Sequence, residues 1–302
     1  MIKITTKKVL LEYCIILVLA VLYLLSFTVF KPKSQKKAFS TQIKFITDSD
    51  ISQIDGIIIQ DSNNSLIITK ENDMWVLCNS NDTQNKIPAD IQTLQNLFVS
   101  LSKVQTITKA GEKNNSTDFS SYGLTSAQAA SITIYKNGSL YHNLLFGNMD
   151  FSQSHRYFTD EELNSIYLID NNFESFLSSS VQIWSDPYII SDQLKSEVFK
   201  TGEIQSISAY DYENKTGTAL TNQTENWNDI SSKILNLRHG GFADKNQIEL
   251  INSQINTPTL LIHIETGAMS QIILEIYQNT QTENEFIIKT KFISLGVKFH
   301  VA

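Results

Sequence analysis

Residues 9–30, VLLEYCIILVLAVLYLLSFTVF, form one apolar run that only Glu12 interrupts with a charge. A helix of about 22 residues rises roughly 33 Å, which is enough to cross a bilayer core of about 30 Å. The run is longer than the core of a cleavable signal peptide, and it ends in bulky residues where cleavage needs small ones. The sequence therefore predicts an uncleaved N-terminal transmembrane helix. The alternatives are a cleaved signal peptide and a buried helix of a soluble protein.

The charges beside this run bear on its orientation. Three lysines precede the run and four follow it: Lys3, Lys7, Lys8, Lys31, Lys33, Lys36 and Lys37. Counted by the positive-inside rule, they slightly favour a cytoplasmic body. A very short basic N-terminus nevertheless usually stays inside, and long following domains translocate largely regardless of charge. We therefore expect a single-pass protein of the cell membrane, with residues 1–37 as anchor and basic stem and with its body outside the cytoplasm.

The charge of the body excludes one class of partner. The chain carries a net charge of −7, although residues 1–37 contain seven lysines and one glutamate. Residues 38–302 are therefore strongly acidic, whereas nucleic-acid binding requires a basic face. No nucleic acid is expected as a partner.

The two cysteines, Cys14 in the apolar run and Cys78 in the body, predict neither an internal disulfide nor a cysteine metal site.

The first half of the body has the pattern of a sheet with one amphipathic helix. Short β-branched runs at residues 56–59 and 66–69 predict a hairpin, and residues 74–77 add a strand that contains Trp75. Pro88 suits the first turn of a helix. Apolar residues then recur at helical spacing: Ile91, Leu94, Leu97, Phe98 and Leu101. Further strand-like runs follow at residues 130–135, 140–146, 155–159 and 165–169.

The second half repeats this order. Residues 203–210 alternate like the first strand, Trp227 corresponds to Trp75, and residues 259–265 begin the closing strands. Ordered matches of this kind indicate an internal duplication, although chance could give a few of them. We therefore predict an α+β fold, with an N-terminal transmembrane helix followed by two tandem, duplicated antiparallel-sheet-plus-helix domains. The predicted domains are residues 38–190 and residues 191–302.

Three short motifs resemble one known family. They are the strands that lead to Trp75, the Ile-Pro-Ala-Asp sequence at residues 87–90, and Tyr122-Gly123-Leu124. Together they resemble the domain-of-unknown-function family 4340 of bacterial single-anchor proteins, over roughly residues 51–190. The resemblance implies an accessory component of a gliding-type ABC transporter and supplies no catalytic residues. The Trp-Ser-Asp-Pro sequence at residues 184–187 departs from the basic turn expected there.

Four residues are weak candidates for contact with a ligand or partner. His155 and Arg156 begin a predicted strand, where they form either an anion site or an ordinary exposed pair. Arg238 and His239 precede two glycines at residues 240–241. These glycines either end the second predicted helix as a C-cap or form a ligand-binding turn.

Motifs of catalysis and metal binding are missing from the sequence. No histidine has metal-ligand spacing to another histidine, cysteine or carboxylate. There is no nucleophile elbow, phosphate-binding loop or Ser-x-x-Lys motif. The acidic residues 160–162 are interpreted as a solvated turn, and Trp75 and Trp227 as core residues rather than sugar platforms. We expect no cofactor, no metal and no enzymatic activity.

The sequence thus favours a membrane-anchored extracytoplasmic accessory or scaffold protein of a bacterial ABC-type transport or envelope system. It would act by protein–protein contact. Its expected partners are membrane lipid, through the N-terminal helix, and a permease with another anchored subunit. The alternatives are a cell-envelope hydrolase and a glycan- or lipid-binding module. Converging carboxylates or histidines in a cleft would favour the enzyme, whereas an exposed apolar surface would favour the assembly protein.

Overall fold

The computed structural model describes residues 16–19, 23, 40–114, 117–160, 163, 165–201, 203–243, 245–252, 257–266, 270–278, 285–294 and 297–300. The chain divides into two compact units, residues 1–41 and 42–302. The predicted transmembrane run lies outside the described residues except for 16–19 and 23, which are helical. Among the described residues, no helix combines the length and the apolar character needed to cross a membrane.

The larger of two sheets contains ten strands in the order β1-β6-β10-β9-β8-β7-β2-β3-β4-β5. The bounds of these strands are Ser40–Ile43 (β1), Ile54–Gln60 (β2), Ser65–Glu71 (β3), Met74–Asn79 (β4), Asp82–Pro88 (β5), Gln105–Glu112 (β6), Ala130–Lys136 (β7), Ser139–Met149 (β8), His155–Asp160 (β9) and Ser165–Asp170 (β10). The same part of the chain forms three α-helices, Asp48–Ile51 (α1), Ile91–Ser102 (α2) and Val181–Trp184 (α3), and the 3-10 helices Phe119–Tyr122 and Glu174–Phe176.

The smaller sheet contains six antiparallel strands in the order β12-β11-β13-β14-β15-β16. The bounds of its strands are Ile204–Asp211 (β11), Thr216–Thr221 (β12), Leu260–Thr266 (β13), Gln271–Gln278 (β14), Phe286–Ser294 (β15) and Val297–His300 (β16). Three helices accompany them: Asp192–Thr201 (α4), Trp227–Leu235 (α5) and Lys245–Leu250 (α6).

The predicted fold class, α+β with an N-terminal transmembrane helix, is wrong. The described residues form mainly antiparallel strands in two large sheets. Two polar segments account for much of the difference, because β5 and β6 flank α2 on both sides and extend the first sheet. The predicted helix included Pro88, which is the last residue of β5, and no strand was predicted at the position of β6.

The smaller sheet has the same strand order as part of the larger sheet. The prediction that Trp227 corresponds to Trp75 is wrong. The order β12-β11-β13-β14-β15-β16 has the same connections as β3-β2-β7-β8-β9-β10 within the larger sheet. Trp75 lies in β4, whereas Trp227 begins helix α5. The strand with Trp75 therefore has no counterpart at Trp227. The domain bounds at residues 38–190 and 191–302 stay a prediction.

Alternating isoleucines explain the centre of the larger sheet. Ile57 and Ile59 of β2 are fully buried, and each pairs with a buried residue on both neighbouring strands. Because successive side chains of a strand point to opposite faces, these positions share one face of the sheet. The core beneath them is aromatic: Phe158 packs edge-on against Phe45 at 5.4 Å between ring centroids.

Helix α2 covers part of the first core. Asp90 is its N-cap, and its side chain accepts hydrogen bonds from the Gln92 N–H at 2.9 Å and from the Thr93 hydroxyl at 2.6 Å. The residues of α2 that are buried are Leu94, Leu97, Phe98 and Leu101, which are the positions that helical spacing predicts. The predicted helix is therefore confirmed, but it begins after Asp90 rather than at Pro88.

Candidate functional site

A cleft of about 880 Å³ lies between the two sheets of the unit 42–302. Its lining comes from β4 and β5, residues 181–194, residues 238–243, α6 and β15. We call it the junction cleft. Its volume falls within the range of about 300–1,000 Å³ that is typical of small-molecule sites.

The chain that connects the sheets forms one side of this cleft. In this segment the carbonyl of Trp184 accepts a hydrogen bond from the Asp90 N–H at 2.7 Å, and the Asp186 N–H donates to the carbonyl of Pro88 at 3.1 Å. The Trp184 indole is fully buried and donates to the carbonyl of Ser178 at 2.7 Å. The connection is therefore held against the end of β5 and the start of α2.

Asp186 shapes the segment that follows. Its carboxylate is buried and accepts hydrogen bonds from the Tyr188 N–H at 2.9 Å and the Asp192 N–H at 2.7 Å. Burial raises the pKa of Asp186 above its usual value, although these two hydrogen bonds oppose the rise. Because each carboxylate oxygen already accepts a backbone hydrogen bond, Asp186 acts as a positioning residue for the turn into α4.

Gln193 joins the second half of the molecule to the first sheet. Its amide oxygen accepts from the Trp75 N–H at 2.6 Å, and its amide nitrogen donates to the carbonyls of Trp75 at 2.8 Å and Ala89 at 3.0 Å. One side chain thus satisfies backbone groups that a neighbouring strand would otherwise satisfy. These bonds fix the position of Trp75, which lines the cleft.

Two cations lie around Tyr188, which belongs to this connecting segment. The Arg238 guanidinium donates to the Tyr188 hydroxyl at 3.2 Å and lies 5.0 Å from the centroid of the Tyr188 ring. The ammonium of Lys195 lies 3.7 Å from the same centroid and forms an ion pair with Asp192 at 2.9 Å. Both cations gain from contact with the ring face, which holds Arg238 in place without a carboxylate.

His239 has one ring nitrogen paired and one unpaired. Nε2 lies 2.7 Å from the backbone carbonyl of Asp186, and it must carry the proton because a carbonyl only accepts. Nδ1 is buried and has no hydrogen-bond partner among the described residues. The Phe242 ring packs against the imidazole at 4.4 Å between centroids. A buried unpaired nitrogen is unfavourable unless a ligand or water satisfies it.

Arg238 and His239 are therefore the two sequence candidates that line the cleft. The interpretation of the following glycines as a helix C-cap is wrong. Helix α5 ends at Leu235, and Asn236 is its C-cap. Residues 237–239 pair instead with the connection between the sheets, through hydrogen bonds from Ile189 to the Leu237 carbonyl and from the His239 N–H to the Pro187 carbonyl. This long-range pairing places the arginine and histidine at the cleft.

The other two candidates, His155 and Arg156, lie at the start of β9 and do not line the cleft. Nδ1 of His155 lies 3.6 Å from the carboxylate of Asp150, and Nε2 lies 3.2 Å from the carboxylate of Asp170. The Arg156 guanidinium pairs with Glu174 and donates to the carbonyl of Gly147 at 2.7 Å. Because their contacts are carboxylates and a carbonyl of the chain itself, these two residues hold a turn together.

That turn, residues 150–154 between β8 and β9, carries the most exposed aromatic side chain of the described residues. We call it the Phe151 turn. Phe151 has a relative exposure of 107%. Asp150 fixes the turn by accepting hydrogen bonds from the Ser152 hydroxyl, the Ser154 N–H and the His155 N–H. Desolvation raises the pKa of Asp150, but these hydrogen bonds outweigh it and lower the pKa. The ring is therefore presented on an ordered loop.

The interpretation of residues 160–162 as a solvated turn fails at Asp160, which is buried. Its carboxylate lies 2.8 Å from Nδ1 of His142, and its backbone carbonyl accepts from Lys113 at 3.0 Å. Glu161 and Glu162 lie outside the described residues. Asp160 ends β9 and pairs across the sheet with Leu144, so its place in the strand buries the carboxylate.

The cleft combines hydrogen-bonding groups, cations and apolar walls, which is the composition of a binding site. Within the described residues, no group of three or more histidine, cysteine, aspartate or glutamate side chains could hold a metal ion. The groups that sequence reasoning missed are Tyr188, Asp186 and Gln193. The Asp-Pro step at residues 186–187 was predicted only to depart from the expected basic turn, and nothing in the local sequence indicates the contacts of Gln193.

Comparison with known proteins gives one result. A family model described as Domain of unknown function (DUF4340) matches residues 75–257. Neither a search of curated proteins nor a search of solved structures gives a match. The resemblance expected from the sequence motifs is confirmed, although the match begins later and extends further into the second half than expected.

Proposed function

For this chain, which belongs to the DUF4340 family, we propose a role as an accessory protein of a bacterial ABC-type transport or envelope system. The protein would act at the cell membrane, outside the cytoplasm, by contact with a permease and another anchored subunit. The motifs quoted from the sequence support the transporter link. The apolar run at residues 9–30 supports the membrane location, and the very short basic N-terminus before it supports a body outside the cytoplasm.

The observation that carries the proposal is the Phe151 turn. A phenylalanine side chain that moves from water into an apolar pocket gains about 1.5–3 kcal/mol. Here the ring is fully exposed while hydrogen bonds order the backbone around it. An aromatic side chain has few rotatable bonds, so it loses little conformational entropy on binding. Aromatic residues are also the kind that dominates the energy of protein interfaces.

Charges around the turn indicate the chemistry of the partner. Asp150, Asp170 and Glu174 lie around His155 and Arg156, so carboxylates outnumber cations there. The body as a whole is also acidic. An acidic rim disfavours the anionic surface of a membrane. It favours a protein pocket that is apolar inside and basic at its edge, because complementary charges speed and orient association.

A second surface supports the same role. β12, with the sequence TGTALT, is the last strand at one edge of the smaller sheet. It contains no charged residue and no proline, and its residues are exposed except for the half-buried Leu220. Within the described residues, β11 is its only strand partner. Proteins usually protect such edges, so an unprotected edge suits pairing with an extended strand of another protein.

Photo-crosslinking at position 151 tests this proposal. A benzophenone amino acid placed at Phe151 in cells should form a crosslink to a membrane permease or a second anchored protein of the same system. The matched control places the same group at Val104, another exposed apolar residue, at 54% exposure. Equal crosslinking from both positions, or no crosslink from position 151 in a folded protein, would contradict the proposal.

A further inference from the structure

We propose that the junction cleft binds a small amphiphilic anion, meaning a molecule that joins a carboxylate or phosphate group to an apolar group. The anion would contact Arg238 and His239, and the apolar group would lie against Phe242, Ile248 and Ile287, which line the same cleft. This site is separate from the Phe151 turn, and its existence does not depend on the accessory role.

The two arginines of the chain differ in how many partners their guanidinium groups have. Arg156 uses its guanidinium for Glu174, for the side chain of Asn171 and for the carbonyl of Gly147. Arg238 donates one hydrogen bond, to the Tyr188 hydroxyl, and no carboxylate of the described residues pairs with it. A guanidinium has five N–H donors. Arg238 therefore offers most of its donors to an external group, and carboxylate and phosphate fit that geometry best.

The position of Arg238 is fixed before any ligand arrives. The guanidinium is stacked near the Tyr188 ring, and Tyr188 itself is held by the hydrogen bond from its N–H to Asp186. The isolated bridge between Tyr188 and Arg238 also pairs their backbones. A preorganised cation binds an anion with less loss of entropy than a mobile one.

His239 supplies a second polar contact. Its Nε2 donates to the Asp186 carbonyl, so the buried Nδ1 of the neutral ring is an acceptor without a partner. Neighbouring atoms cover Nδ1, so a hydroxyl group or a protonated phosphate oxygen of the ligand would donate to it once the side chains around it move. This hydrogen bond would lie beside Arg238.

Local charge and apolar surface complete the site. Lys289 also lines the cleft, and burial lowers its pKa even though Glu275 acts in the opposite direction. Asp82 and Glu285 lie on the lining as well. The phenyl ring of Phe242 is 37% exposed, and it gives an apolar group of the ligand a partner directly beside His239. An anion with an apolar tail would use both kinds of contact.

Calorimetric titration of the full chain in a non-ionic detergent tests this inference. The probes are phenyl phosphate and 3-phenylpropanoate, with 3-phenylpropanol as the uncharged analogue. We expect saturable binding of at least one anion and weaker binding of the alcohol. Comparison of the two anions distinguishes a phosphate site from a carboxylate site. Arg238→Gln should weaken binding about tenfold or more, because it removes a charge-assisted contact.

A matched variant controls for the loss of positive charge. Lys233→Gln removes an exposed cation of α5, whose ion-pair partner within the described part of the chain is Asp229, and it should leave the affinity unchanged. Phe242→Ala should weaken the binding of both anions without changing which of the two binds more tightly. Three results would overturn the inference in a folded protein: no binding of either anion up to about 10 mM, equal affinity for the alcohol, or wild-type affinity in Arg238→Gln.

Discussion

At the scale of single residues, an ion pair between Asp50 and Lys136 joins helix α1 to strand β7. Asp50 of α1 is buried and accepts hydrogen bonds from the ammonium of Lys136 in β7, from the Thr47 N–H at 2.7 Å and from the Tyr141 hydroxyl at 3.3 Å. The hydrogen bond from Lys136 is the main cause that places the pKa of Asp50 far below its usual value. The same bond raises the pKa of Lys136. Folding therefore favours the charged form of both groups.

We predict a pH-dependent loss of stability in Asp50→Asn. A carboxyl group with a lowered folded pKa stabilises the protein above its unfolded pKa of about 3.9, and the contribution is lost as the pH falls through the folded value. Urea unfolding should show the variant less stable than wild type at pH 7, with a difference that shrinks below about pH 4. Asp229→Asn, at an exposed pair on α5, is the control. A difference that stays constant from pH 7 to pH 3 would refute this interpretation.

At the scale of structural elements, the Tyr122-Gly123-Leu124 motif ends a 3-10 helix and meets β8. Gly123 has a positive φ of 68° and is the C-cap of that helix. Leu124 is buried, and the Tyr122 ring packs edge-on against Tyr157 at 5.0 Å. On the opposing strand, a Cβ added to Gly147 would lie 2.1 Å from the Tyr122 carbonyl oxygen. The motif thus marks a close approach of two backbones.

Gly147→Ala should destabilise the protein by about 1–3 kcal/mol, because the new methyl group must displace backbone rather than a flexible side chain. Gly240→Ala is the control, since a Cβ at Gly240 would meet nothing within 4 Å. Chemical denaturation of both variants measures the two free energies of unfolding. Equal stability of the two variants would mean that β8 can move away from Tyr122 without loss.

The sequence pattern predicted the helices and strands in which apolar residues recur at a regular spacing. The strands β7, β8, β9 and β10 were expected within a few residues of their bounds because their apolar residues recur there. β5 was missed because its sequence, DTQNKIP, is polar and ends in proline. It is a strand because it lies at the sheet edge, where proline is tolerated and one face meets solvent. The segment forms strand β5 because of its position in the sheet, which the local sequence does not encode.

At the scale of the whole molecule, the contacts that form the junction cleft are long-range. Gln193 reaches Trp75 across 118 positions of the sequence. Arg238 and His239 could be selected from the sequence because the Arg-His-Gly-Gly string is unusual. Their surroundings could not be predicted, since Tyr188, Asp186 and Gln193 are ordinary residues until the chain brings them together. The sequence therefore identified Arg238 and His239, but it predicted neither the aromatic residues of the site nor its geometry.

Gln193→Ala should lower the free energy of unfolding by about 1–3 kcal/mol, because the Trp75 N–H and the Ala89 carbonyl lose the bonds from Gln193, while the Trp75 carbonyl keeps the hydrogen bond from the Ala89 N–H. Gln92→Ala, at an exposed position of α2, removes an amide that contacts only Asn96 and should change stability by less than about 0.5 kcal/mol. Thermal and urea unfolding measure both. If Gln193→Ala is as stable as the control, the link between the sheets does not depend on this side chain.

Co-purification from native membranes tests the central claim most directly. Tagged wild-type protein, Phe151→Ser and the control Val104→Ser are expressed at equal levels, and the permease recovered with each is quantified by mass spectrometry. We predict that wild type and Val104→Ser recover the same permease, and that Phe151→Ser recovers about one tenth or less, because an interface without its aromatic anchor loses about 1.5–3 kcal/mol. Recovery of the permease at wild-type levels by folded Phe151→Ser, or of no permease by the wild type, would contradict the account.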